Sequence, residues 1–468
     1  MVFSGITFLY YFLPFVLLLY FCAPAKAKNG VLLFASLFFY AWGEPVYILL
    51  MLFSVLTGYL AGLLLEKTLK EPIGRITPKV VLTGAVGIFT GLFIYFKYTD
   101  FMIRNINAVV GADIPLRHIV LPIGISFYTF QIISYLVDVY RKEVPAQKNF
   151  VSLALYIAMF PQLIAGPIVR YSAVAAQISR RKSTWEGIER GITRFVIGLS
   201  KKVLIANELG RLCELYWEST EPSVLFAWLY GIAYLFHIYF DFSGYSDMAI
   251  GLGKIFGFTF PENFNYPYIS GSITEFWRRW HISLGTWFRD YLYIPLGGNR
   301  VSKGRWYCNI LIVWLFTGIW HGASWNFVIW GLFFAVLLVI EKNWLMPYLE
   351  KAKVWKHIYV LLLLIISFLI FNGENPGTAA VDVGRLFGLG GIPFCSREAI
   401  YYGKSFLILI VAAALGSTPV IRSLGEKIQQ KLPRAAAVLK PIWLILLFVL
   451  STAYLVDGSF NPFLYFRF

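Results

Sequence analysis

Long apolar runs recur along the chain, separated by short polar or basic stretches. They cover Ile6–Phe21, Val31–Trp42, Val46–Leu65, Val80–Phe96, Ile119–Val139, Phe150–Ala165, Val224–Phe240, Tyr307–Trp320, Trp325–Ile340, Ile358–Phe371, Phe406–Leu415 and Ile442–Val456. A helix of about 20 apolar residues crosses the ~30 Å hydrocarbon core of a bilayer. Several runs are shorter than that, so tilted, broken or re-entrant helices are expected among on the order of ten to twelve spans. The pattern predicts an all-α polytopic helical bundle, organised as a single integral-membrane domain over 1–468. No internal repeat, low-complexity tract or soluble domain interrupts it.

Two stretches have helical spacing with a polar side. From Trp185 to Leu204 the apolar positions are Trp185, Ile188, Ile192, Phe195, Val196, Leu199, Val203 and Leu204. Glu186, Glu189, Arg190, Arg194, Lys201 and Lys202 fall mostly on the other face, which predicts an interfacial helix whose basic residues meet membrane lipids. In EFWRRWHISLGTWFRDYLYIPLGGNR, starting at Glu275, the spacing puts Trp277, His281, Leu284 and Phe288 on one face of a helix. Arg278, Arg279 and Arg289 lie beside that face, and Leu296–Asn299 reads as a turn in which glycine permits a positive φ.

Composition strengthens the membrane reading. The chain is 58% hydrophobic and only 14% charged, with a mean hydropathy of +0.67, too apolar for a soluble protein of 468 residues. The net charge of +16 is spread between the apolar runs, which argues against nucleic-acid binding. Lys26 and Lys28, then Lys67–Lys79, then Arg141, Lys142 and Lys148 sit in alternate connections, while Gly43–Pro45 has no basic residue. This alternation places the N-terminus outside and the basic loops in the cytoplasm. Met1–Gly5 carries no basic residue, so the first run is not read as a cleaved export signal. The four cysteines are isolated, and neither a metal site nor a disulfide framework is predicted from them.

The candidate chemistry centres on His321. It follows the apolar run from Tyr307 to Trp320, ~14 residues or roughly 20 Å of helix, which leaves it within the membrane. An ionisable residue at that depth is expensive and marks a functional site, and imidazole is a natural general base near neutral pH. The alternative is a structural histidine hydrogen-bonded between helices. His281 is the second candidate, and Asp241 and Asp247, in apolar surroundings, would orient a histidine, relay protons or bond a neighbouring helix end. PQLIAGPIVRY, from Pro161, reads as a kink or re-entrant turn.

At these motifs the chain resembles the membrane-bound O-acyltransferases, in particular the branch that acetylates alginate and other bacterial polysaccharides. The resemblance runs through LPIGISFYTFQIISYLVDVYR from Leu121, PQLIAGPIVRY, YFDFSGYSDMAIGLGKIFGF from Tyr239 and PENFNYPY from Pro261. It continues through the block from Glu275 and WHGASWNFVIWG from Trp320, a core motif region of 121–332. It implies a bundle with funnels from both membrane faces meeting at His321, the family's catalytic histidine, with His281 as the second histidine of the branch.

The resemblance also implies acetyl transfer from cytoplasmic acetyl-CoA, as donor substrate with no bound cofactor, to an extracytoplasmic glycan. It implies an esterase-like (SGNH-type) extracytoplasmic partner and a place in the bacterial plasma membrane. His281, Trp320 and Asn326 are candidates to align or hydrogen-bond the acyl group, and Arg278, Arg279 and Arg289 to bind coenzyme phosphates. The rivals are D-alanyl transfer to teichoic acid, a proton-coupled transporter or flippase using the histidines and aspartates as a relay, and a structural scaffold.

Overall fold

The computed structural model describes residues 1–164 and 166–458, so Ala165, which closes one apolar run, lies outside the described residues. Among those described there are helices and no β-strand beyond an isolated bridge, Ile73–Ile76. Among the described residues six helices are long and apolar enough to cross a membrane: Ile48–Lys70, Pro78–Val110, Val224–Ile255, Trp325–Lys351, Trp355–Asn372 and Pro433–Asp457. A seventh candidate is the pair Arg397–Ser405 and Leu407–Gly416, bent by 54°. The remaining apolar runs form shorter or interrupted helices, such as Leu13–Cys22 and Phe150–Ala158. Among the described residues the candidates thus number six, or seven with the bent pair, against the ten to twelve spans expected from the sequence, because several apolar runs form helices too short for a full crossing.

The chain divides into two compact units, residues 1–195 with 248–261, and residues 196–247 with 262–468. In the first, Phe3, Phe8, Phe12, Phe39 and Phe160 pack ring against ring, with Phe160 5.4 Å from Phe12 and 5.6 Å from Phe39. The segment around Pro161 breaks as its prolines predict: helix Phe150–Ala158 ends, one turn follows over Phe160–Leu163, and a new helix starts at Tyr171. The break leaves the Phe160 N–H outside a helical ladder, and Ser36 Oγ accepts it at 3.1 Å.

The second unit carries the motifs of interest. Its helices include α1 (Val224–Ile255, whose last residues belong to the first unit), α2 (Ile273–Arg279), α3 (Ile282–Phe288), α4 (Lys303–His321), α5 (Trp325–Ile340) and α6 (Trp355–Asn372). Helices α4 and α5 form a hairpin that closes through two glycines, with the Cα of Gly318 3.4 Å from where a Cβ on Gly331 would lie. That Cβ would also collide with the Trp314 carbonyl, and one on Gly318 with the Phe327 carbonyl. Backbone cannot retreat as a side chain can. Gly331→Ala is expected to destabilise the protein by about 1–3 kcal/mol through overpacking, seen as a lower melting temperature in detergent. Unchanged melting would mean that the hairpin opens without cost.

At the start of α2 the carboxylate of Glu341, fully buried, accepts from Ile273 N at 2.6 Å and from Thr274 N and Oγ1 at 2.9 Å. An anion at a helix N-terminus satisfies amides that have no helical partner. This fixes α2, and the tryptophan it bears, against the end of α5.

Candidate active site

His321 is the last residue of α4 and is buried, with 8% of its surface exposed. Its ring lies 5.1 Å from that of Trp330 on α5, 5.2 Å from Phe371 on α6 and 5.0 Å from Trp320. Gly322 follows it because a Cβ there would run into the ring of Phe327. The apolar run from Tyr307 thus forms a helix that ends at the histidine, and the structure adds the aromatic rings around it. Trp320 also contacts the second histidine, at 6.2 Å between the ring centres of Trp320 and His281.

His281 does not sit on a continuous helix with Trp277, Leu284 and Phe288. Helix α2 ends at Arg279, Trp280 is extended and His281 takes φ 45°, ψ 51° before α3 begins. A left-handed conformation costs a non-glycine residue roughly 1–2 kcal/mol and persists only where its surroundings hold it. Here the holder is PENFNYPY. The carbonyl of Asn263 accepts from Ile282 N at 3.0 Å, and Asn265 N donates to Arg279 O at 2.9 Å. His281 is 2% exposed and meets Phe242 edge to face at 4.7 Å. It lies outside the six long spans, and its burial pushes the imidazole down to about 3, so the ring is neutral at rest.

A cavity of about 540 Å³ opens beside these residues, lined among others by Trp277, Arg278, His281, Arg289, Trp314 and Thr317. Of the three arginines singled out in the sequence, Arg278 and Arg289 line it. Arg279 does not; its Nε donates to Glu275 Oε1 at 2.9 Å and its Nη1 to Asn265 O at 3.1 Å, which secures the break after α2. Trp277 continues inward as an aromatic cage, 4.7 Å from Trp314, 5.7 Å from Trp330 and 4.9 Å from Phe334. The indole N–H groups of Trp277 and Trp330 are buried and have no hydrogen-bond partner among the described residues. A buried indole normally finds one.

Asn326 is placed differently from the other candidates. Its Nδ2 donates to the carbonyls of Ile370, Phe371 and Gly373, at 3.4, 3.3 and 2.6 Å, so its donor is spent in tying α5 to the end of α6. Asp241 and Asp247 face lysines. Lys202 Nζ lies 2.6 Å from Asp241 Oδ1, both side chains 1% exposed, and Lys201 Nζ lies 2.7 Å from Asp247 Oδ2. Lys202 is thus not on the lipid-facing side of an amphipathic helix. The helix Trp185–Ser200 passes at Lys201 into a π-helical segment, Lys201–Asn207, whose wider turn shifts the register. The glycine-lined approach of α1, where a Cβ on Gly244 would meet Gly198 O at 2.8 Å and Lys202 N at 3.1 Å, completes the contact.

Sequence reasoning gave no site role to Asn263, Trp277 or Trp330, and it put Lys202 among the lipid-facing basic residues. The asparagines of PENFNYPY were the available signal for the first, since asparagine readily bonds nearby backbone in irregular segments.

Comparison with known proteins identifies relatives of the chain. A family model for membrane-bound O-acyltransferases matches residues 141–373, from the loop after Tyr140 to the end of α6. The chain is 38% identical to a probable alginate O-acetylase of Azotobacter vinelandii over 100% of both chains. It is 34% identical to a peptidoglycan O-acetyltransferase of Helicobacter pylori over 85% of this chain and 82% of that one. A teichoic acid D-alanyltransferase of Bacillus subtilis is 30% identical over 48% of this chain and 60% of its own length. End-to-end similarity of this kind, on a multi-pass helical scaffold with a buried histidine beside an arginine-edged cavity, makes the chain a member of the membrane-bound O-acyltransferase family and an O-acyltransferase.

Proposed function

We propose that this enzyme moves an acetyl group from acetyl-CoA in the cytoplasm to hydroxyls of a cell-surface glycan, of the alginate or peptidoglycan kind, across a bacterial plasma membrane. The observation that carries this reading is the cavity. Two arginines and a buried imidazole line it, and Trp277 connects it to the aromatic shell of His321. Phosphates suit guanidinium groups, and a thioester and hydroxyl suit an enclosed, dry, base-bearing interior.

In the reaction His321 takes the proton of the acceptor hydroxyl as its oxygen attacks the thioester carbonyl carbon. The carbon–sulfur bond then breaks, and the coenzyme thiolate leaves and recovers that proton. The indoles of Trp330 and Trp320 touch the His321 ring and would serve the developing oxyanion as donors, and Trp277 packs against Trp330 behind them. Polymeric glycan is too bulky for such an interior, so the hydroxyl acetylated beside His321 is that of a smaller carrier. An extracytoplasmic esterase-like partner of the SGNH type takes the acetyl group from that ester to a glycan hydroxyl, which frees the carrier hydroxyl again.

The test uses sealed vesicles of known orientation with acetyl-labelled acetyl-CoA on one face. Donor on the cytoplasmic face should label acceptor on the opposite face while the coenzyme stays behind. Arg278→Ala with Arg289→Ala should raise KM for acetyl-CoA about tenfold, the effect of losing exposed charge-assisted contacts. Labelling from both faces, or passage of intact coenzyme or glycan, would overturn the proposal in favour of transport. Labelling only from a carrier-protein aminoacyl thioester would overturn the acetyl donor.

A further inference from the structure

The contacts of Asn263 fix more than a backbone break. Its Oδ1 accepts from Ser283 N at 3.2 Å and from Ser283 Oγ at 2.8 Å, and it lies 3.2 Å from His281 Nδ1. Asn263 is fully buried. A backbone N–H can only donate, so the atom of the Asn263 amide that faces Ser283 N must be the oxygen, and the amide cannot be turned around. An oxygen lone pair facing a bare ring nitrogen would be repulsive. The imidazole nitrogen facing that oxygen therefore carries the hydrogen. We infer that Asn263 is a positioning residue that locks His281 as the Nδ1–H tautomer and leaves Nε2 as its lone-pair acceptor.

The inference rests on the acyl-transfer reading of the site and adds a division of labour to it. A neutral imidazole with hydrogen on Nδ1 has no second N–H, so His281 cannot donate to the oxyanion of the reacting carbonyl. It accepts a hydrogen bond instead, which suits it to orient the acceptor hydroxyl whose proton His321 takes. Donation to the oxyanion falls to the indoles. The left-handed backbone of His281 follows from the same contacts, because the carbonyl and the side-chain oxygen of Asn263 between them bind Ile282, Ser283 and the His281 ring.

Histidine-selective ¹⁵N labelling with solid-state NMR of the full-length protein in lipid tests this directly. The His281 signals are identified by their loss in His281→Gln. In the native protein Nδ1 should appear as a protonated and Nε2 as an unprotonated nitrogen. Asn263→Leu, which keeps the bulk and removes the oxygen, should abolish that preference and lower kcat on the order of 10²-fold with KM for acetyl-CoA little changed. Asn263→Asp keeps an acceptor oxygen at the same position and should retain the Nδ1–H form, which guards against a variant that merely fails to fold. Ser283→Ala, which removes a different partner of the same oxygen, should leave the tautomer as it was. A protonated Nε2 with bare Nδ1 in the native protein would overturn the inference, as would an unchanged tautomer and kcat in Asn263→Leu. The nitrogen signals are read without turnover, so a failure of acetyl transfer in vesicles would count against the proposed reaction and not against the role of Asn263.

Discussion

Replacing His321 with alanine should abolish acyl transfer, a loss of ~10²–10⁴-fold or more, while the protein remains folded in detergent. The ring is enclosed by Trp320, Trp330 and Phe371, and the histidine is the last residue of helix α4. Removing it leaves an aromatic pocket that still packs around α5 and α6, so the melting temperature should fall far less than the activity. His321→Gln separates base from bulk, since the amide fills much of the space and cannot take up a proton at neutral pH. Transfer at a near native rate by either variant, at equal expression, would remove His321 from the chemistry. A variant that is inactive only because it melts would favour the structural reading of this histidine.

The parts of this site that were legible in the sequence are those governed by local periodicity. The run Tyr307–Trp320 became Lys303–His321, and Leu296–Asn299 became a turn with Gly297 at φ 105° and Gly298 at φ 57°. Prolines around Pro161 predicted a broken helix, and the helix breaks there. The illegible parts depend on a change of register or on a distant partner. Helical spacing assumes a constant rotation per residue, and that assumption failed at His281 and at Lys201 for different reasons. At His281 a segment 18 residues upstream supplies the hydrogen bonds that pay for a left-handed residue inside an apparent helix. At Lys201 a π-helical segment turns the basic pair inward, onto aspartates some forty residues away in sequence. Neither signal is present in hydropathy, which sees Lys202 only as a charge and therefore puts it in water or among lipid headgroups.

That buried pair sets up the second large effect. Lys202→Met alone should destabilise the protein by about 3–5 kcal/mol, because the buried Asp241 carboxylate would then face a thioether in place of the ammonium 2.6 Å away. Asp241→Leu should cost a similar amount by removing the carboxylate that faces the buried ammonium. The double variant, Lys202→Met with Asp241→Leu, should recover most of the loss, since well-packed apolar residues commonly replace a buried ion pair at no net cost. Melting temperatures of the four proteins in one detergent give the coupling directly. If the two single changes add, the pair does not act as a closed unit. The recovered double variant then decides what the pair is for. Native-like acyl transfer in it would show that the charges serve only to join α1 to the π-helical segment. A stable but inactive double variant would place charge between Lys202 and Asp241 in the reaction itself, and the aspartate would return as a functional residue with lysine, and not histidine, as its partner.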